Sequence, residues 1–347
     1  MPILRSYGNA FELQDYTTEL AIVPTSWSLL ADVGLFSEES LSTHTVTFEE
    51  QNQTLGLIAD QFRGAKPSAN KDDTRKIHAY NVSHFPFTDA ILPQDVQSKR
   101  AYGSATLAET EAAVLARKME RIRRNYDVTM EVSRFHTLAT GGIYSPQGTN
   151  TGNFFTATGV TQTSVDFVLG TAGTDIVAKC EAVVAAMQDN ANTGDVITGV
   201  VCYASPEFFA KLIAHSKVQV AYQYYTATEG QLIQRNRAGS SGPNNISGLY
   251  REFSFGGIRF IEVRTVLAGQ RLVPVGEAIF VPTGTTDTFV TYFSPANKMD
   301  YVNTLAEKTY MWTYRSPKGE SIDIEAESNW INVLRRPALV VKGTTSN

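Results

Sequence analysis

The side chains best suited to chemistry are scattered along this sequence. Five histidines, His44, His78, His84, His136 and His215, lie far apart, and only His78 and His84 share a segment, at a spacing that suits no common metal site. Structural or solvated roles are their plain reading, and a pH-sensing or assembly contact is the sharper one. Cys180 and Cys202 belong to no C-x-x-C pair or Cys/His cluster, a pattern natural to a reducing cytosol. The paired carboxylates Glu49-Glu50 and Asp72-Asp73 fall where loop tips are expected, so solvation explains them. Phosphate cradles, nucleophile elbows and metal-binding helices each demand small fixed spacings. No G-x-G-x-x-G, G-x-x-x-x-G-K-S/T, G-x-S-x-G or H-E-x-x-H occurs, and the G-S-S-G at 239–242 reads as a flexible loop. The expectation is therefore no catalytic residue, no cofactor and no metal: a chain that is not an enzyme.

Composition sets the frame for the elements that carry these residues. With 347 residues, 42% hydrophobic and 19% charged, the chain has material for two packed bodies plus extended segments. A net charge of −5 disfavours tight wrapping of nucleic acid while leaving weak contact open. The start, MPILRSYGNAFEL, has one base and no apolar stretch of signal length, and no run of about 18 apolar residues follows. Neither a secretion signal nor a membrane span is read.

Residues 1–44 hold six acids against the single base Arg5, with no sustained amphipathic period, so this arm needs another surface to lie on. Alternation from Thr45 to Phe48 predicts a strand, EEQNQ a turn, and LGLIA a second apolar run. The polar stretch 63–76, with Gly64, Pro67 and seven charges, cannot pack a core; IHAYNV at 77–82 resumes the extended pattern. Residues 45–88 thus read as a long hairpin-like loop.

A capping box from Thr106 to Glu109 and a stop at Gly141-Gly142 predict a helix over 107–139, about 50 Å long at 1.5 Å per residue. Leu115, Met119, Ile122, Tyr126 and Met130 give it one apolar stripe, and Arg117, Lys118, Arg121, Arg123 and Arg124 follow as a basic run. The Gly-, Thr- and Asn-rich stretch 141–159 marks a boundary, with NFFTAT as a short strand pattern inside it. Asp175 caps a helix, VITGVVCYA is a buried strand, and Ser205-Pro206 starts another helix. RNRAGSSGPNNISG at 235–248 reads as a loop, FSFGGIRFIEV as a hairpin turning at Gly256-Gly257, and AIFVPTG as a strand. TYMWTYRSPKGESIDIEAESN predicts two strands around Pro317–Gly319, and WINVLRRPALVVK a further strand pair bending near Pro337.

Several segments, in order, resemble the lambda-type phage major capsid protein E family. They are SHFPFTDAILPQDVQSKRAYG (83–103), VVCYASPEFFAKLIAHSKVQVAY (200–222), FSFGGIRFIEV (253–263), EAIFVPTGTTDTFVTYFSPA (277–296) and SNWINVLRRPALVVK (328–342). Each block alone is weakly specific; their order and spacing across residues 45–343 carry the resemblance. It implies an α+β chain with the Hong-Kong-ninety-seven-type phage capsid fold. The expected parts are an N-terminal arm (1–44), an extended β-hairpin loop (45–88) and a peripheral domain (89–170) with a spine helix at 107–139 and a β-sheet. An axial α/β domain (171–296) follows, and C-terminal strands (297–347) return to the peripheral domain.

The resemblance also implies roles. Arg63, Gly64, Lys66 and Pro67 at the loop tip would reach across a neighbouring subunit, the alternative being a merely mobile tip. Phe85, Pro86 and Phe87 would anchor the loop base, or simply pack within their own subunit. The 235–248 loop would approach a capsomer axis. The implied partners are further copies in hexamers and pentamers, a separate scaffolding protein since the chain looks complete from Met1, a portal and a decoration protein. No membrane is involved. The basic helix run is either a solvated face or an interior surface in weak contact with packaged double-stranded DNA. The implied location is the virion, with assembly in the host cytoplasm. No residue matches a cross-linking motif. A cellular compartment shell of the same fold and an α/β enzyme built on 171–222 are the competing readings.

Overall fold

The computed structural model describes residues 28–52, 74–97, 99, 110–191, 196–223, 234–237, 249–267, 269–285 and 287–346. The chain enters with helix α1 (Leu29–Val33) and strand β1 (Ser37–Ser40), then the pair β2 (Thr45–Asn52) and β3 (Thr74–Asn81). Strand β4 (Ser83–Ile91) and the single turn α2 (Pro93–Val96) precede the long helix α3 (Glu111–Thr140). Next come α4 (Phe154–Thr158), β5 (Ser164–Asp166), α5 (Ile176–Asn190), β6 (Gly199–Ala204), α6 (Pro206–Ala214) and α7 (Ser216–Gln223). Strands β7 (Gln234–Arg237), β8 (Leu249–Phe255), β9 (Ile258–Glu262), β10 (Val266–Leu267), β11 (Gln270–Arg271), β12 (Glu277–Thr283) and β13 (Phe289–Phe293) follow. The chain closes with β14 (Tyr310–Arg315), β15 (Ile322–Leu334) and β16 (Val341–Thr344).

One body is a seven-stranded sheet in the order β5-β16-β12-β6-β9-β8-β7, with β6 parallel to β9. Its helices start where polar side chains satisfy free amides. The Asp175 carboxylate accepts from the Val177 and Ala178 amides at the head of α5, and Ser205 Oγ accepts from Phe208 N above Pro206. Phe208, Phe209 and Leu212 of α6 and Cys180, Val183 and Met187 of α5 share one core with Phe260 and Phe280 of the sheet. The β8–β9 turn needs glycine twice over: Gly256 has φ +57°, and a Cβ there would stand 2.7 Å from Cys180 Cβ.

The second body centres on the 13-residue β15. Trp330 pairs with both Ser83 of β4 and Phe293 of β13, so these strands flank β15 on opposite sides, and β1 extends the sheet parallel to β13. Helix α3, 30 residues long, lies against this sheet. Its N-cap is Thr110, whose hydroxyl accepts from Ala113 N; Thr110 is itself extended, so the described helix starts there and not at the expected 107, and Thr106 lies outside the described residues. Gly141 ends it in the left-handed region, where a Cβ would meet the Phe155 ring at 2.2 Å.

Other expectations are corrected. EEQN belongs to β2, because pairing continues to Asn52↔Thr74. NFFTAT is a helical turn, not a strand: Asn153 Oδ1 accepts from the Phe155 and Thr156 amides and caps α4. WINVL is no separate strand but the continuation of β15, while β16 crosses to the other sheet and pairs with β12. Residues 235–237 are strand β7 and not loop. The sheets also cut the chain differently from the sequence reading: residues 83–88 pair with β15, not within the loop, and β13 sits in the β15 sheet and not in the body of residues 171–283. The single stripe on α3 also fails beyond Met130, where Glu131, Val132, Ser133, Arg134, Phe135, Thr137 and Leu138 are all buried.

Candidate functional site

The hairpin β2–β3 forms a two-stranded sheet of its own, in register from Thr45↔Asn81 to Asn52↔Thr74. Strand alternation sends Thr47, Glu49, Ile77 and Ala79 outward to solvent and Val46, Phe48, His78 and Tyr80 inward. Phe48 and Tyr80 lie 5.9 Å apart, and Tyr80 meets Phe154 edge-on at 5.0 Å, so the hairpin root is nailed to α4 through aromatic faces. His78 Nε2 reaches Glu50 Oε2 at 2.7 Å across the strands, and Asn150 Nδ2 donates to Asn81 O at 2.7 Å.

Beside that root, β4, α3 and the 144–149 loop enclose a groove of about 510 Å³ lined by Phe85, Phe87, Ile122, Tyr126, Tyr144 and Pro146. Phe85 stacks on Trp330 at 4.1 Å, Tyr126 Oη donates to Phe85 O at 3.0 Å, and Trp330 Nε1 donates to Ser133 Oγ at 3.0 Å. Asn332 Nδ2 donates to the same hydroxyl, and Arg134 donates to Thr291 Oγ1 and to Glu38 Oε1. The wall of the groove is therefore rigid.

The basic run on α3 is largely paired. Lys118 Nζ and Arg121 Nη2 meet Asp89 at 2.9 and 3.0 Å, and Arg124 pairs with Glu120 one turn away. Burial pushes the Asp89 carboxyl up, but the Lys118 ammonium, the Ala90 amide and Arg121 outweigh it and hold it below the usual carboxylate range. Further along the body, Met299, Val302 and Leu305 stand exposed beside the aromatic group Tyr301, Tyr310 and Trp312. Lys298 Nζ sits 3.8 Å above the Trp312 ring and 2.7 Å from Glu325 Oε2.

Of the residues singled out by sequence, Arg63, Gly64, Lys66 and Pro67 lie outside the described residues. Phe85, Pro86 and Phe87 fall on β4 opposite Ser328, Glu327 and Ala326. Phe85 is committed to Trp330 of its own chain, while Phe87 stays 38% exposed at the groove. Phe48, Tyr80 and Phe154 also hold the root of the hairpin, and the alternation of Val46/Phe48 against His78/Tyr80 could have indicated the first two. The histidines share no site: His84 Nδ1 contacts Asn329 Oδ1, and His215 Nε2 bonds Thr171 O. Both thiols are buried, and burial pushes Cys180 up to about 12, far from reactive thiolate. Among the described residues, no three His, Cys, Asp or Glu side chains converge as metal ligands.

Two sheet bodies that meet in a shared core, a long helix laid against one of them and a hairpin that forms its own sheet define the Hong-Kong-ninety-seven-type fold of tailed-phage capsid subunits. The cyanophage P-SCSP1u capsid protein superposes with a TM-score of 0.55 at 12% identity, over 97% of this chain and 93% of that one. The capsid subunit of Ralstonia phage GP4 gives 0.52 at 11% identity, over 100% and 99%. Sequence similarity runs deeper than this fold likeness. The phage major capsid protein E profile matches residues 12–345. A major capsid protein of Pseudomonas phage KPP10 is 42% identical over 97% of this chain and 98% of its own length, and that of Salmonella phage Felix O1 is 26% identical over 98% and 97%. The chain belongs to the phage major capsid protein E family.

Proposed function

We infer that this chain is the shell subunit of a tailed-phage head, assembling as hexamers and pentamers into an icosahedral container for double-stranded DNA. The observation that carries this reading is the β2–β3 hairpin, which stands as a separate sheet held at its root, with its outer face in solvent. A hairpin of this kind is marginal alone and gains stability by lying on another surface. The tip with Arg63, Gly64, Lys66 and Pro67 reaches a neighbouring copy, and the edge of β4 with Phe87 receives such a contact. The β15 body with α3 is the peripheral domain, and the seven-stranded body is the axial domain.

Burial is worth about 25 cal/mol per Å² before ordering costs, so interfaces of roughly 1,600 Å² are individually modest. A closed lattice is stable because many of them act together. Weak contacts also permit correction of misplaced subunits during growth. A net charge of −5 and the pairing of Lys118 and Arg121 with Asp89 favour weak contact with DNA over strong retention. A scaffolding protein, a portal and a decoration protein complete the assembly, which takes place in the host cytoplasm before the protein resides in the virion.

Sedimentation velocity tests this. Purified protein expressed with its scaffolding partner is expected to sediment as uniform particles of hundreds of copies. A stable monomer or dimer at all concentrations would overturn the reading.

A further inference from the structure

The connection from β13 to β14, residues 294–309, is fastened at both ends. Asn297 N donates to Glu327 Oε1 at 2.8 Å, and Ala306 N donates to Leu41 O at 2.9 Å. Inward it sends Tyr301, which meets Tyr310 edge-on at 4.9 Å and Trp312 at 5.7 Å. Ala306 joins the core that Ile122, Tyr126 and Met130 of α3 share with Trp330. Outward it holds Met299, Val302 and Leu305, which contribute little to the packing of their own chain. Met299, at 89%, is the most exposed large apolar residue among those described. Asn303, between Val302 and Leu305, has φ +60°, a backbone that asparagine tolerates, and Thr304 donates both its amide and its hydroxyl to Tyr301 O. The apolar face is thus set in place before anything meets it, which lowers the ordering cost of a contact.

Size and charge together indicate what covers it. Three side chains offer on the order of a few hundred Å² of apolar surface, a scale at which exposed patches mark contact sites. That is well short of the roughly 800 Å² a side of a stable two-body interface. A separate protein resting on this patch alone would bind weakly. Another copy of this chain, already brought near by other contacts, needs no more, because effective concentration supplies the rest. The charges agree: residues 297–308 carry Lys298 and Lys308 against Asp300 and Glu307, so the face is neutral while the whole chain stands at −5. Lys298 is held by Glu325 at 2.7 Å and Lys308 by Glu38 at 3.5 Å. Two such faces can therefore meet without like-charge repulsion. The same patch on both sides is what a two-fold contact between identical chains requires.

We propose that Met299, Val302 and Leu305 form a like-with-like contact between two copies of this chain, packing against the same three residues of the second copy. The contact is distinct from the one made by the hairpin: it is short, apolar and rigid on both sides. It rests on the shell reading for the nearness of the copies, and its test is read apart from that reading.

Val302→Cys, treated with a short bis-maleimide, tests the contact. Both native thiols are buried, so the new cysteine is the accessible one. The protein, expressed with its scaffolding partner, is separated by sedimentation into assembled and unassembled fractions, and each is cross-linked. A dimer of the chain joined through residue 302 is expected in the assembled fraction. The same cysteine combined with Met299→Glu and Leu305→Glu is expected to give at least about tenfold less of it, with an unchanged thermal midpoint. If no particles form, the shell reading fails, and cross-linking of the concentrated unassembled protein still decides the contact. No dimer in either fraction, a cross-link to a different protein, or a dimer that the two glutamates leave undiminished overturns the proposal. Should the glutamate pair fail to fold, Met299→Ser with Leu305→Ser takes its place, with the same reading.

Discussion

At the scale of single residues, the structure separates side chains that hold the subunit from those free to meet another. Phe85 is stacked on Trp330 inside its own chain, so Phe85→Ala removes packing and is expected to cost about 2 kcal/mol in denaturant unfolding. Phe87, two residues on and exposed, is expected to cost under about 0.5 kcal/mol as Phe87→Ala, yet to reduce the yield of assembled particles in sedimentation. Gly141→Ala combines a left-handed backbone with a collision against Phe155 and is expected to lose about 2–4 kcal/mol. Acid sensitivity has a residue behind it as well. Asp89 titrates lower in the folded state than in the unfolded chain, so its stabilisation is present above about pH 4 and lost as pH falls below that. In unfolding titrations from pH 5 to 3, Asp89→Asn should therefore show a shallower loss of stability than the parent. Local signals of this kind were legible in the sequence where one residue acts on its neighbours: Asp175, Ser205 and Gly256 all do what their type and position predict. Ser133, Arg134 and Glu131 were not legible, because their partners Trp330, Thr291 and Leu30 are brought to them only by the tertiary fold.

Elements were read well when their period was long or their ends were marked, and poorly when a short pattern could serve two structures. The end of the spine helix at Gly141 and the β14–β15 turn followed from glycine and alternation, whereas its start is capped by Thr110 and not by a box from Thr106, and NFFTAT has β-prone residues that become helical because Asn153 caps the turn and Phe154 and Phe155 are drawn into the body. WINVL looked like a new strand because its apolar run contrasts with the alternation of IDIEAES; the change reflects burial on both faces once β15 passes beneath α3 and beside β13. The hairpin carries the prediction at this scale. Deleting residues 63–70 leaves the Phe48–Tyr80–Phe154 root untouched, so the subunit should keep its thermal midpoint within a few degrees in calorimetry. The same deletion is expected to abolish full-size particles. Normal shells from that deletion would contradict the role given to the tip.

For the molecule as a whole, the two sheet bodies account for nearly all of the buried core, and the β2–β3 hairpin is where neighbours are expected to add what one chain lacks, whereas residues 29–40 of the expected arm pack into their own chain through Leu29, Leu30, Phe36 and β1. The family and the capsid fold were legible from ordered sequence blocks, whereas the division between bodies was not, since β13 and β16 each cross to a sheet that their sequence neighbours do not share. The shell is expected to be built by projections of each copy resting on the next. Cryo-electron microscopy of the assembled particles, traced at chain level, measures it directly. A closed icosahedral shell of five- and six-fold capsomers is expected, with residues 45–81 of every copy lying on an adjacent copy. Particles in which that hairpin touches only its own subunit would contradict it.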